Sequence, residues 1–199
     1  MVLEKFIRGM WTRLWLRRSK FSGRYGDLER LYALKDPWNL SGSGEQSRFE
    51  QTNELIAEWV PDCRSLLELG CGEGLQTEHL TRISKSVAGL DISATAIGRA
   101  RKRLPSVEFK IGRGEDAARL FSGRKFDLLT AFEMLYYSPD IPAMIVEMQR
   151  LSDTLLVTNY AERAEVMGHH FDGPGWQRLR SISANGQRWD CHLWRARHQ

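Results

Sequence analysis

The sequence predicts an α/β fold with a mostly parallel central sheet, helices on both faces and an antiparallel closing strand. Three observations predict it. Short apolar runs alternate with amphipathic segments through the middle of the chain, which is typical of strand, helix, strand units. Three glycines at alternate positions follow the first apolar run, over residues 70–74. A last apolar run, 187–195, follows the turn at Asn185 and Gly186, and such a turn reverses the chain.

The size of the chain limits it to one domain with a short appended segment. It has 199 residues, of which 42% are hydrophobic and 27% charged. We divide it into a basic amphipathic helix over residues 1–24 and one domain over residues 25–199. Cys63, Cys71 and Cys191 form no C-x-x-C pair, so we expect buried thiols in a reducing, cytoplasmic compartment and no metal site.

The positive charge of the chain is concentrated at its beginning. The formal net charge is +4, but residues 1–24 hold seven Lys or Arg and one acid. The rest of the chain therefore carries a net charge of −2, with 22 basic and 24 acidic residues. A nucleic-acid-binding domain needs a basic surface. We therefore expect no nucleic-acid partner.

The first residues have the pattern of an amphipathic helix. Apolar residues occupy positions 3, 6, 7, 10, 11 and 14, with basic residues between them. The charges interrupt the run too often for a signal peptide or a transmembrane helix. Three alternatives stay open: packing on the domain or a partner, organelle targeting, and peripheral contact of residues 1–20 with an anionic surface such as the inner membrane.

The elements of the domain follow from its apolar periodicity. The pattern weakens over 25–40, and 36–44 is a loop rich in helix-breaking residues. A helix with one buried face follows over 49–60. After it the sequence predicts, in order, strand 65–69, helix 76–83, strand 86–90, helix 94–104, strand 107–111, strand 126–132, helix 141–151, strand 154–159 and strand 187–195.

The glycine loop is the first sign of a ligand site. Gly70, Gly72 and Gly74 follow an apolar strand and precede a helix, where the backbone turns tightly and approaches a ligand. Glu68 lies just before them. Its carboxylate would repel a pyrophosphate but could pair with a cationic amino-acid group. This favours a cofactor with an amino group over a dinucleotide.

A second acid supports a nucleoside cofactor. Asp91 ends the next apolar strand, twenty-one residues after Gly70. A carboxylate there can accept two hydrogen bonds from a ribose diol. The alternative is that Asp91 caps the helix that begins at Ala94, although Ser93 is better placed for that role.

With these two motifs the sequence resembles the class I S-adenosylmethionine (SAM)-dependent methyltransferases. The resemblance covers roughly residues 45–160 and implies a Rossmann-like methyltransferase fold with S-adenosyl-L-methionine as cofactor. A third motif usually supplies an acid near the adenine amine after strand three, where this chain has Arg113 followed by Glu115 and Asp116. The cofactor-binding residues that the resemblance implies are Glu68, Gly70, Cys71, Gly72, Gly74, Asp91, Ile92, Glu115, Asp116 and Ala131.

Within this superfamily the chain is similar to the nodulation protein S group, which N-methylates a deacetylated chitin-type oligosaccharide. Three segments carry this similarity: 133–137, 36–38 and 189–193. The chain departs from most relatives because it lacks the Leu-x-Pro-Gly-Gly turn before strand five, and the region between that strand and the tail is short. We therefore expect a small substrate lid.

The acceptor chemistry depends on residues near the end of strand four. A neutral amine needs little more than alignment with the methyl group, whereas a hydroxyl usually needs a general base. Our catalytic candidates are Glu133, Tyr137 and His169. Glu133 with Trp38 and Trp176 would make an acidic, aromatic pocket suited to amines and glycan rings. We expect a small-molecule or oligosaccharide acceptor, with a lipid-linked acceptor if the basic helix binds membrane.

Other classes of function are weaker. One alternative keeps the methyltransferase but has a hydroxyl as the acceptor group, and a sharp pH dependence of the rate would favour this alternative. The domain could also be an idle SAM-fold module that binds a partner through its N-terminal helix. A nicotinamide dehydrogenase is disfavoured because the loop lacks the G-x-G-x-x-G form. A nucleic-acid methylase is disfavoured because no Asn/Asp-Pro-Pro-Tyr element follows strand four. No feature of the sequence specifies the oligomeric state.

Overall fold

A computed structural model of the chain describes residues 23–197. The basic amphipathic segment predicted for 1–24 therefore lies almost wholly outside the described residues, and with it the predicted membrane contact of 1–20. No helix within 23–197 has the length and apolar character needed to cross a membrane.

The described chain is built around one mixed sheet. Its strands are β1 (Ser65–Leu69), β2 (Ser86–Asp91), β3 (Glu108–Ile111), β4 (Leu128–Phe132), β5 (Thr154–Tyr160), β6 (Trp176–Arg178), β7 (Ile182–Ala184) and β8 (Gln187–Arg195). Its helices are α1 (Tyr25–Leu31), α2 (Ser43–Trp59), α3 (Leu75–Leu80), α4 (Ala94–Arg103), α5 (Ala117–Leu120), α6 (Ile141–Leu151) and α7 (Ala161–Met167). Short 3₁₀ turns cover Gly114–Asp116, Leu135–Tyr137 and Gly168–Phe171.

The strand order is β3-β2-β1-β4-β5-β8-β6, and β7 pairs with β8 off this path. Strands β1 to β5 are parallel, whereas β8 runs antiparallel to β5, β6 and β7. The predicted fold class is confirmed, including the closing strand. Because β1, β2 and β4 are parallel, their carboxyl ends Leu69, Asp91 and Phe132 meet at one edge of the sheet, on either side of the point where the strand order reverses.

Buried apolar layers cover both faces of the sheet. Alternate residues of a strand point to opposite faces. Thus Leu67 and Leu129 belong to the layer that α6 covers, and Leu66 and Leu128 belong to the layer that α2 covers. This two-sided burial explains why the parallel strands are mostly apolar and show no regular polar alternation.

Several elements differ from the sequence-based prediction. Helix α3 ends at Leu80 instead of residue 83, and β4 begins at Leu128, because Phe126 makes only an isolated bridge with Ser152. Where most relatives have a Leu-x-Pro-Gly-Gly turn before β5, this chain has Ser152, the side chain of which bonds to the backbone of Thr154. Its hydroxyl donates to the Thr154 carbonyl at 2.8 Å and accepts the Thr154 N–H at 3.1 Å.

Five short elements escaped prediction: α1, α5, α7, β6 and β7. Helix α1 is held by tertiary contacts, since the Tyr25 hydroxyl donates to Glu115 at 2.5 Å and the Thr95 hydroxyl donates to Glu29 at 2.6 Å. Strands β6 and β7 have three residues each and exist by pairing with β8. Strand β6 pairs with residues 192–194, which are distant in sequence and leave no local pattern, whereas β7 is the first strand of the hairpin that turns at Asn185 and Gly186.

Candidate active site

A cavity of about 920 Å³ opens at the carboxyl edge of the sheet. Its volume lies within the range of small-molecule and cofactor sites. The segment between α1 and α2 closes one side, with Trp38 on the wall. This segment is fixed to the glycine loop, because Glu73 Oε1 accepts the Asp36 N–H at 3.0 Å and also the Arg99 guanidinium at 2.5 Å.

The glycine loop lines this cavity through Gly70, Cys71 and Gly72, whereas Gly74 lies away from it, against Ala100, contrary to the predicted cofactor contact. Gly70, Gly72 and Gly74 have φ angles of 72°, 53° and 77°, a region that other residues rarely adopt. A Cβ at Gly70 would lie 2.7 Å from the Met134 Cβ, and one at Gly72 would lie 2.7 Å from the Tyr32 hydroxyl oxygen. The loop is thus compatible with glycine alone at these positions.

Asp91 holds the loop from the neighbouring strand. Its Oδ2 accepts the Gly72 N–H at 2.9 Å and its Oδ1 accepts the Ser93 N–H at 2.9 Å. Burial raises the pKa of Asp91 to about 6. The residue that caps helix α4 is Ser93 and not Asp91, because the Ser93 Oγ accepts the Ala96 N–H at 3.0 Å. Asp91 faces the cavity, as do Ile92 and Cys71.

Glu68 is a buried acid on the same wall. The Thr77 hydroxyl donates to its Oε2 at 2.5 Å. Burial raises the pKa of Glu68 to about 7, although the Thr77 hydrogen bond and the Arg48 charge oppose this rise. A cation in the cavity would favour the carboxylate form.

Arg48 is the functional candidate that the sequence analysis missed. It is 3% exposed and lines the cavity. Its Nε donates to Glu45 Oε2 at 2.7 Å, and its Nη1 donates to Gln76 Oε1 at 3.2 Å. A buried arginine needs a charged partner, which Glu45 supplies. The sequence indicates only the burial of Arg48, because position 48 lies on the same helical face as Leu55, the buried face of α2.

Glu133 follows β4 in an unusual backbone conformation. Its φ is +56°, and its N–H donates to the Thr158 carbonyl at 3.0 Å. The Tyr136 hydroxyl donates to Oε2 at 3.3 Å, while Oε1 is buried with no partner among residues 23–197. Burial raises the pKa of Glu133 to about 7, although the Arg48 charge and a hydrogen bond from the Tyr160 backbone to the carboxylate oppose this rise. A strained acid with an unused oxygen on a cavity wall is typical of a functional position.

Aromatic side chains form the end of the cavity farther along the sheet. Tyr160 and Trp189 are register partners on β5 and β8, with ring centroids 6.0 Å apart. Tyr137 also lines the cavity, and burial raises its pKa well above the ordinary range. Because β5 and β8 follow β4 in the strand order, the glycine loop and the aromatic end lie on opposite sides of Glu133.

The two acids of the third motif, Glu115 and Asp116, do not line the cavity. Glu115 Oε1 accepts the Tyr25 hydroxyl at 2.5 Å and the Ser138 hydroxyl at 3.0 Å. Asp116 pairs with Arg119 at 3.1 Å. The segment 112–114 lines the cavity in their place.

Three further sequence candidates also lie elsewhere. Ala131 is buried inside β4. His169 is exposed and its ring lies 3.9 Å from that of His170, away from the cavity. Trp176 lines a second cavity, so the expected pocket of Glu133, Trp38 and Trp176 contains only the first two. The reason is that β6 pairs with β8 at its far end, where Trp176 opposes Trp194. The described residues contain no group of three potential metal ligands.

A parallel sheet of this order with a closing antiparallel strand, a glycine loop after β1 and an acid ending β2 defines the SAM-dependent methyltransferases of class I. The family model described as Nodulation protein S (NodS) matches residues 22–163, more than half of the chain. The chain belongs to this family and is a SAM-dependent methyltransferase.

Individual relatives agree with this assignment. The chain is 30% identical over 166 residues to nodulation protein S of Sinorhizobium fredii (strain NBRC 101917 / NGR234), covering 83% of this chain and 69% of that protein. It is 31% identical over 119 residues to a ubiquinone biosynthesis O-methyltransferase of Thiobacillus denitrificans (strain ATCC 25259 / T1), covering 55% and 50%. The chain thus spans between half and about two thirds of the length of these curated relatives.

Solved structures share the fold. The N-methyltransferase NodS from Bradyrhizobium japonicum WM9, in complex with S-adenosyl-L-homocysteine (SAH), superposes with a TM-score of 0.68 at 22% identity, covering 86% of this chain and 97% of that one. CalS10 from Micromonospora echinaspora, an amino pentose methyltransferase with bound SAM, gives a TM-score of 0.62 at 15% identity, covering 79% and 94%.

Proposed function

We propose that this chain transfers the methyl group of SAM to an amine of a saccharide-like acceptor. One observation carries the proposal. The free Oε1 of Glu133 lies between the glycine loop and the aromatic end of the cavity. A buried carboxylate oxygen without a partner favours a cationic ligand group, and an ammonium is the simplest one.

The residues around the glycine loop fit the cofactor. Each Asp91 oxygen accepts one backbone N–H and keeps a further lone pair, so the pair can receive the two ribose hydroxyls. Glu68 fits the ammonium of the methionine part. Arg48 and Gln76, whose Nε2 is buried without a partner among the described residues, fit its carboxylate. The sulfonium of bound SAM supplies an electrophilic methyl group.

Glu133 would prepare the acceptor. An alkyl ammonium has no lone pair for nucleophilic attack, so a proton must leave before methylation. The Glu133 carboxylate can hold the ammonium, accept that proton at Oε1 and later release it to solvent. A pKa near 7 suits both steps at neutral pH.

The aromatic end would hold the acceptor ring. Tyr160 and Trp189 line this end together with Arg163 and Gln187, and Trp38 lies on the wall of the same cavity. Such surfaces pack against the apolar faces of sugar rings while their neighbours bond the hydroxyls. The similarity to an amino pentose methyltransferase and to an N-methyltransferase supports an amine as the acceptor group. A hydroxyl is the second candidate, because Glu133 could act as its general base and the relatives include O-methyltransferases.

A panel of matched monosaccharides tests the acceptor group. Glucosamine, N-acetylglucosamine and glucose differ only at one carbon, and methyl transfer from SAM can be followed by product mass. We expect methylation of glucosamine alone. Methylation of all three at similar rates would assign a hydroxyl acceptor, and methylation of none by a protein that binds SAM would overturn the saccharide proposal.

We further propose that residues 1–20 bring the domain to an anionic membrane surface carrying a lipid-linked acceptor. The support is the helical spacing of apolar residues among seven basic residues over 1–24. Co-sedimentation of the full chain with phosphatidylglycerol vesicles, and its loss at high salt, is the expected result. Absence of sedimentation at low salt would contradict the proposal.

A further inference from the structure

The turn that follows Glu133 carries two buried tyrosines. It is the 3₁₀ turn Leu135–Tyr137, closed by hydrogen bonds from the Tyr137 N–H to the Met134 carbonyl at 3.0 Å and from the Ser138 N–H to the Leu135 carbonyl at 2.9 Å. The rings of Tyr136 and Tyr137 lie with centroids 4.6 Å apart, and both side chains line the cavity of about 920 Å³. Cofactor and acceptor binding as proposed above give the Tyr136 hydroxyl no role.

Both ends of this turn are anchored. Before it, the Met134 side chain packs against the glycine loop, since a Cβ added at Gly70 would lie 2.7 Å from the Met134 Cβ. After it, the Ser138 hydroxyl donates to Glu115 Oε1 at 3.0 Å, and the same oxygen accepts the Tyr25 hydroxyl of α1. The turn therefore has a fixed position between the glycine loop and α1, and Tyr136 has a fixed position beside Glu133.

The Tyr136 hydroxyl holds one oxygen of the Glu133 carboxyl group. Tyr136 is 8% exposed, and its hydroxyl donates to Glu133 Oε2 at 3.3 Å. The other oxygen, Oε1, is buried and has no partner in the part of the chain described. The last torsion of a glutamate side chain is broad, so a carboxyl group without such a contact can exchange its two oxygens. A donor on Oε2 restricts this rotation and keeps Oε1 as the free oxygen.

Other ionisable side chains also act on Glu133 from the elements around it. They are Arg48 and Glu45 of α2, Tyr137 of the turn and Cys191 of β8. Arg48 pairs with Glu45 at 2.7 Å. Burial raises the pKa of Tyr137 well above the ordinary range and that of Cys191 to about 12, so both are neutral at pH 7. Among the described side chains, Tyr136 is the one that donates a hydrogen bond to the Glu133 carboxyl group.

We infer that Tyr136 is a positioning residue for methyl transfer, the hydroxyl of which holds Glu133 Oε2 so that Oε1 stays directed at the acceptor. This inference rests on the proposed function for the role of Glu133 as proton acceptor. Tyr136 acts through Glu133 and needs no contact of its own with the reacting atoms. A hydrogen bond to an ionised oxygen is stronger than one to a neutral oxygen, so the same hydroxyl favours the carboxylate that receives the proton.

A double-mutant cycle separates positioning of Glu133 from an independent role of Tyr136. Tyr136→Phe keeps the ring that packs on Tyr137 and removes only the hydroxyl. We expect it to lower kcat/KM for glucosamine with SAM by about tenfold at pH 7, the effect of one hydrogen bond to a charged group. In the Glu133→Gln background it should cause no further loss, because the amide accepts no proton and leaves nothing to position. An equal loss in both backgrounds would overturn the inference.

Titration of the Glu133 carboxyl carbon by ¹³C NMR in the SAH complex gives a readout that needs no acceptor and that a general loss of stability would not move. The signal of Glu133 is identified by its absence from Glu133→Gln. Tyr136→Phe should raise the pKa of Glu133 by about one unit, because the lost hydrogen bond favours the carboxylate. Thr130→Val is the matched control, since it removes another buried hydroxyl, which donates to the Leu67 carbonyl at 3.4 Å, and should leave this pKa unchanged.

The titration also separates failure of this inference from failure of the proposed function. An equal pKa of Glu133 in the wild type and Tyr136→Phe, or an equal shift in Thr130→Val, overturns the inference whatever the rates are. If no acceptor is methylated, the proposed function fails, and a shift confined to Tyr136→Phe still supports the hold of Tyr136 on Glu133.

Discussion

The Asp91 carboxylate accepts the Gly72 N–H at 2.9 Å, so the acid that ends β2 holds the glycine loop that follows β1. This hydrogen bond joins the glycine loop to the acid of the second motif, although Gly72 and Asp91 are nineteen residues apart in the sequence. An acid with this position would serve the cofactor twice, by shaping the loop and by receiving the ribose hydroxyls.

Asp91→Ala should therefore weaken SAH binding by about 10- to 100-fold, because it removes charged hydrogen bonds from a buried site. Isothermal titration calorimetry checks the affinity. Asp127→Ala is the matched control, since Asp127 Oδ2 accepts the Arg64 and Ser65 N–H groups at 2.9 Å each at the amino end of β1. We expect Asp127→Ala to lower Tm and leave the affinity unchanged. Equal affinity losses in the two variants would show a general effect on folding.

Gly72→Ala should abolish detectable SAH binding and lower Tm. The new Cβ would require a strained backbone at φ +53° and would lie 2.7 Å from the Tyr32 hydroxyl oxygen. Gly98→Ala is the control, because Gly98 lies inside α4 with nothing within 4 Å of the added Cβ. It should stabilise the fold by about 0.5–1 kcal/mol and bind SAH normally. Normal SAH binding by Gly72→Ala would contradict the assigned role of the loop.

Glu68→Gln should stabilise the free protein at pH 8 more than at pH 5. The pKa of Glu68 is about 7 in the folded chain and about 4.3 in an unfolded one. A raised folded pKa contributes stability that is fully present below the unfolded pKa and is lost as pH rises through 7. Because the amide of Glu68→Gln stays neutral, the variant avoids this loss, and its free energy of unfolding should exceed that of the wild type by about 1–3 kcal/mol at pH 8. Urea unfolding of both proteins at both pH values measures this difference. A difference that does not change with pH would contradict the burial of a charge at Glu68.

The rate of amine methylation should rise with pH through about 7, as Glu133 becomes a carboxylate. Glu133→Gln should lower kcat/KM by about 10²-fold and remove this limb of the profile, because the amide cannot accept the proton. SAH affinity, measured on the same variant, should change little. An unchanged limb in Glu133→Gln would assign the ionisation to another group.

The sheet could be predicted because its determinants are local. Runs such as 65–69 and 154–159 are mostly apolar and buried on both faces, and the glycines mark the end of β1. Helix α1 and strand β6 could not be predicted, since they are held by Glu115, Thr95 and the far end of β8, all distant in sequence. Strand β7 is the first strand of the hairpin that turns at Asn185 and Gly186, so a local signal for it was present.

The site was only partly predictable for the same reason. Glu68, Asp91 and Glu133 were identified because each ends or follows a strand at the ligand edge of a parallel sheet. Arg48 lies on a helix that precedes the sheet, and only three-dimensional packing brings it to the cavity. His169 was chosen by residue type, and its position depends on a 3₁₀ turn that faces solvent.

A crystal structure of the chain with SAH and glucosamine would show directly whether Asp91 binds the cofactor and Glu133 the acceptor amine. We expect the ribose hydroxyls within hydrogen-bond distance of Asp91, and the amine nitrogen hydrogen-bonded to Glu133 Oε1 while facing the SAH sulfur. A sugar hydroxyl facing the sulfur, with the amine directed away from Glu133, would contradict it.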